Sequence, residues 1–110
     1  MRIITHDGGR CLTLRLVGEL DHAAAQTVMP GIEDAVEEYL PRRCVLDLTG
    51  VSFMDSSGIG LILGRLKLVS VWGGKVIVTN VAPELQKMIE LAGIPRLVEI
   101  RKEVDGNEAV

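Results

Sequence analysis

The sequence predicts an α/β fold: a single domain with a mixed β-sheet, built from parallel βαβ units and packed by helices. Three observations carry that prediction. Two β-rich runs, Met1 to Thr5 and Cys11 to Val17, are joined by His6-Asp7-Gly8-Gly9-Arg10, and Asp-Gly or Gly-Gly between such runs signals a hairpin. Helical and strand patterns then alternate to the end of the chain, the order that builds parallel crossover units. Finally, the period changes abruptly within Cys44 to Val71, from a short apolar run to a helical one, across Asp55-Ser56-Ser57-Gly58.

In the second run Leu12, Leu14 and Leu16 alternate with Cys11, Thr13 and Arg15, so one face of that strand is buried. Gly18-Glu19-Leu20-Asp21-His22 ends it, and Asp21 suits the N-cap of a helix that begins at Ala23-Ala24-Ala25. Val28, Ile32, Val36 and Tyr39 or Leu40 continue that helix. Pro30-Gly31 interrupts its pattern, and an interior proline costs about 3 kcal/mol, so a kink or two short helices are expected. Leu40-Pro41-Arg42-Arg43 leads to Cys44–Leu48, bounded by Thr49-Gly50 and too brief for a helix; it reads as the central strand.

Ile59, Ile62, Leu63, Leu66 and Val69 form one apolar helical face after the DSSG turn. Gly73-Gly74 stops that helix, and Lys75 to Val81 is the next strand. Pro83 opens a helix to Ala92, Gly93 ends it, and Leu97 to Arg101 is the last strand. Glu103 to Val110 is polar and reads as a frayed tail.

The 110 residues suffice for one core, and 47% apolar with 25% charged residues are ordinary globular values. A net charge of -3 with interspersed signs excludes the basic face that nucleic acid requires. The start MRIITHDGG has no long apolar segment, and Ile59 to Leu63 falls far short of the ~20 residues of a membrane span. The chain is therefore expected to be soluble and cytoplasmic. Cys11 and Cys44 have neither metal nor disulfide spacing and read as small core residues.

The plainest role for Asp55-Ser56-Ser57-Gly58 is a helix N-cap, worth ~1 kcal/mol. Free amides and the helix dipole also favour negative charge there, so a serine hydroxyl at that point is a candidate phosphate acceptor. The roles are compatible, since Ser57 or Asp55 is able to cap while Ser56 faces outward. In sheets of this type partners gather beyond the carboxyl ends of the parallel strands, so GELDH and DSSG should lie together. Glu19, Asp21 and Asp55 would then surround Ser56 with acid suited to a basic partner surface, or simply cap and solvate.

The run VSFMDSSGIGLILGR, residues 51 to 65, with GELDH at 18 to 22, resembles the bacterial anti-sigma factor antagonists of the STAS family. The similarity runs from about Ile4 to Ile100. It implies a STAS domain over residues 1–110 in which Ser56, the first serine after the aspartate, is phosphorylated. It further implies a partner that is an anti-sigma factor and ATP-dependent serine kinase, bound only by the unphosphorylated protein, and a phosphatase that resets the switch. The nucleotide belongs to the kinase, so no cofactor is expected. Ser56-Ser57 with GELDH leans towards the sporulation branch, with the general-stress branch or a scaffold STAS domain as alternatives. Family members carry one continuous first helix, in conflict with the break read at Pro30, and often a further helix after the last strand.

Expected partner-binding residues are Glu19, Asp21, His22, Asp55, Ser56, Ser57, Gly58, Gly60 and Gly64. Gly60 and Gly64 lie four apart on the helix, where each costs up to about 1 kcal/mol against alanine. Close packing within the fold and a partner footprint both explain them. Phe53 reads as core, with an interface rim as its second assignment. An enzyme is not expected: there is no GxSxG elbow, Gly73-Gly74-Lys75-Val76 lacks the rest of a phosphate loop, and His6 and His22 have no ligand spacing.

Overall fold

Alternation along the second strand decides which side of the sheet is covered. A computed structural model of the protein describes residues 1–102; the expected frayed tail, 103–110, lies outside them. Five strands, β1 (Arg2–His6), β2 (Cys11–Leu20), β3 (Arg43–Met54), β4 (Lys75–Thr79) and β5 (Glu99–Arg101), lie in the order β1-β2-β3-β4-β5. Helices α1 (His22–Tyr39), α2 (Ser56–Val69) and α3 (Pro83–Leu91) occupy the three connections from β2 onward. β1 is antiparallel to β2 and each later pair is parallel, which is the expected mixed sheet with β3 at its centre.

Leu12, Cys44 and Val76 are register partners, as are Leu14, Leu46 and Val78, and all six are buried. Ile32 and Val36 of α1 and Leu61 and Ile62 of α2 complete the same cluster, to which α3 adds Leu85 and Ile89. Each such side chain contributes about 1.5–3 kcal/mol. Arg65 is also buried, joining α2 to α1 through a 3.0 Å bond from Nη1 to Met29 Sδ, while its Nε has no partner among the described residues. Cys44 lies in this cluster, and burial pushes its thiol up to about 12 despite the nearby Arg65 cation. Such a thiol is inert.

The opposite side of the sheet, with Thr13, Val45 and Ile77, forms an open concavity of about 1250 Å³. Its ordered feature is Asp47, which accepts from Arg15 Nε at 3.0 Å, Thr49 N at 3.0 Å, Thr49 Oγ1 at 2.6 Å and Asn80 Nδ2 at 3.4 Å. Burial raises the Asp47 pKa, but the bonds from Thr49, Arg15 and Asn80 outweigh it and hold the carboxyl below its usual range.

Four expectations need correction. β2 and β3 do not end at Val17 and Leu48; they pair onward through Glu19↔Phe53 and Leu20↔Met54, with bulges between Arg15 and Val17 and between Gly18 and Glu19. α1 runs as one helix through Pro30 and is not split into two short helices. Gln26 and Pro30 are both exposed, so the lost hydrogen bond falls on the outer side of α1, while Ala25, Ile32, Ala35 and Val36 are held in the core. The buried face of α2 is Gly58, Leu61, Ile62, Arg65 and Val69; Ile59, Leu63 and Leu66 are half-buried flanks. Phe53 is 46% exposed and not core, whereas Met54 is buried.

Candidate functional site

β2 and β3 run parallel, so the helices that follow them both begin at the carboxyl end of the sheet. The two starts touch. The amide of Asp55 donates to the carbonyl of Leu20 at 3.5 Å, and Ser57 Oγ lies 3.4 Å from His22 Nδ1. GELDH and DSSG are thereby brought together, as the topology required.

Asp21, half-buried, caps α1 by accepting from the amide of Ala24 at 2.9 Å. Asp55 does the same for α2, accepting from the amide of Ser57 at 2.8 Å. Asp55, not Ser57, is therefore the cap, and each carboxylate also sits at the positive end of a helix. Ser57 is half-buried and faces His22, an exposed residue in the first turn of α1. Ser56 is different: it is exposed, it opens α2, and its hydroxyl makes no hydrogen bond among the described residues. Glu19 is exposed at the end of β2, opposite Phe53.

The three glycines of the α2 motif separate into two kinds. Gly58 is buried, and a Cβ there would strike the Met54 side chain and lie 3.3 Å from Leu20 Cδ2. Gly58 is thus a packing residue beneath the site. A Cβ at Gly60 or Gly64 would meet nothing within 4 Å, which removes close packing as their explanation. Ser56, Gly60 and Gly64 recur at i, i+4 and i+8, so they share one stripe of α2. Sequence reasoning missed Val17, 63% exposed on β2 near this site, although the alternation that buries Leu12, Leu14 and Leu16 carries on to place it on the outward face. Among the described residues no group of His, Cys, Asp and Glu has the geometry of a metal site, and no helix is long and apolar enough to cross a membrane.

Residues 2–107 match the STAS domain, and the chain belongs to that family. It is similar to the anti-sigma F factor antagonist of Paenibacillus polymyxa, 37% identical over 89 residues that span 81% of this chain and 76% of the relative. Similarity to the anti-sigma-B factor antagonist of Listeria monocytogenes is lower, 29% over 100 residues covering 86% and 84% of the two chains. Among solved structures, the unphosphorylated anti-sigma factor antagonist SpoIIAA superposes with a TM-score of 0.71 at 26% identity, over 94% of this chain and 87% of that one. The phosphorylated form of the Bacillus cell fate determinant SpoIIAA gives 0.74 at 27% identity, over 94% and 91%. The resemblance read from the DSSG region to the anti-sigma factor antagonists therefore extends over 94% of the chain.

Proposed function

We propose that this protein is an anti-sigma factor antagonist whose binding is switched by phosphorylation of Ser56. It acts as a regulator rather than an enzyme: unphosphorylated, it binds an anti-sigma factor that is also a serine kinase and so frees the sigma factor. Phosphorylation by that kinase ends the association and a phosphatase restores it, in the cytoplasm and in the control of sporulation. The observation that carries this reading is the Ser56 hydroxyl, exposed and uncommitted while Asp55 caps the helix and Ser57 faces His22. The names of its relatives and the known phosphorylated state of SpoIIAA support it. The higher identity to sigma F antagonists than to sigma-B antagonists favours the sporulation branch.

Phosphorylation brings about -1.5 to -2 charges to a surface already holding Glu19, Asp21 and Asp55. Enclosing that charge without a partner costs ~3 kcal/mol, over 100-fold in affinity, and needs no refolding. On this reading the docking face is the Ser56–Gly60–Gly64 stripe, where absent side chains let another backbone approach, flanked by Glu19, Asp21, His22, Asp55 and Ser57 with Gly58 packed below.

Titration against the cognate anti-sigma kinase, with and without ATP, tests the proposal. ATP is expected to dissociate the wild-type complex as phosphate accumulates on Ser56, located by mass spectrometry, and to leave the Ser56→Ala complex intact. Undiminished binding by the phosphorylated protein would overturn the switch. A label on the partner is the better reporter, because Trp72 lies beyond the far end of α2 from Ser56, with Nε1 bonded to the Pro41 carbonyl at 2.9 Å.

A further inference from the structure

We propose that the overhanging ends of β2 and β3 form an apolar ledge, centred on Val17 and Phe53, that receives an apolar side chain of the anti-sigma factor beside Ser56. The inference rests on the reading that such a factor docks at the start of α2. It adds a second contact of a different chemical kind.

β4 stops at Thr79, opposite Asp47, whereas β3 continues to Met54 with β2 as its sole strand neighbour among the described residues. This two-stranded extension has a closed side and an open side. Leu16, Leu20, Val51 and Met54 are all buried at 3% exposure or less on the core side. Val17 and Phe53 turn the other way, 63% and 46% exposed. Phe53 is the only phenylalanine of the chain, and the fold leaves it in water three residues before Ser56.

Gly50 belongs to the same arrangement. It pairs with Val17, and a Cβ at Gly50 would lie 2.7 Å from Val17 Cγ1. The missing side chain lets Val17 lie across β3, widening the apolar surface from one strand to two. Large side chains on a well-packed patch are the usual anchors of an interface, and surrounding residues exclude water from them. Here the surroundings are acidic, with Glu19 opposite Phe53 in register and Asp21 and Asp55 at the end of the strands. The complementary surface is thus an apolar side chain ringed by lysine or arginine. The ledge is also continuous with the serine site, since Asp55 and Ser56 come directly after Met54.

The test is calorimetric titration of the full chain into the cognate anti-sigma factor without ATP, comparing wild type, Phe53→Ser, Val17→Ser and Leu91→Ser. Leu91, 79% exposed on α3, serves as the apolar surface control. Phe53→Ser is expected to weaken binding about 10-fold or more and Val17→Ser about 3- to 10-fold, with Leu91→Ser unchanged. Thermal unfolding within about 2 °C of wild type shows that the variants fold. Binding of Phe53→Ser within twofold of wild type overturns the ledge and leaves the proposed function standing. Absence of binding by the wild type overturns the proposed function, and the ledge with it.

Discussion

α1 and α2 leave the same end of the sheet, and each is capped by an aspartate, Asp21 on the amide of Ala24 and Asp55 on the amide of Ser57. Both also carry poor helix formers on their outer sides, Pro30 in α1 and Gly60 with Gly64 in α2. Beyond the cap the helices part company. α1 continues with His22-Ala23-Ala24, and its proline falls on an exposed position. α2 continues with an exposed serine and then two glycines that nothing in the fold requires. Equivalent caps on equivalent strands thus produce one helix that serves the core and one whose outer face is kept open.

Gly58→Ala should give the largest stability change in this comparison. The added methyl meets the middle of the Met54 side chain and not its free end, so the strand must shift. Overpacking of this kind costs about 1–3 kcal/mol, more than the gain of about 1 kcal/mol from replacing a helical glycine. A net loss, read by urea unfolding, is expected. An unchanged or raised stability would mean that Gly58 is as free as Gly60.

Cap removal is next in size. Asp21→Ala and Asp55→Ala should each lose about 1 kcal/mol, since each leaves one helix amide without its acceptor. They should differ in the kinase assay: Asp55→Ala loosens the turn that presents Ser56 and slows its phosphorylation more than Asp21→Ala, which removes only a flank of the docking face. Equal rates in the two variants would dissolve the distinction drawn between the helix starts.

The sequence declared the βαβ order, the central strand, the Asp21 cap and a capped helix start at DSSG, left open between Asp55 and Ser57, because each depends on residues close in the chain. Non-local geometry was less legible. The extension of β3 past Thr49-Gly50 depends on β2 continuing alongside it, and the bulges that make this possible have no composition of their own. Phe53 looks like core by composition but stands one residue out of phase with Met54. Arg65 is given no role by the sequence, yet it is buried and bonded to Met29 of α1 because the buried arc of α2 is centred away from the one its isoleucines and leucines suggested. Pro30 misled for the opposite reason: its local cost is real, but it falls on a face where water meets it.

The smallest effect is the most discriminating for the role of α2. Gly60→Ala and Gly64→Ala add a methyl where nothing lies within 4 Å, so neither strains the fold, and each should raise stability by up to about 1 kcal/mol through helix propensity. If the stripe is where a partner's backbone approaches, the same methyl must weaken binding to the anti-sigma factor, so stability and affinity move in opposite directions. A packing residue behaves otherwise, losing both together, as Gly58→Ala should. Chemical unfolding and titration of the two variants side by side measure the two signs. A Gly60→Ala protein that is more stable and binds as tightly as wild type would remove the stripe from the docking face, leaving Ser56 to be recognised from the strand side alone.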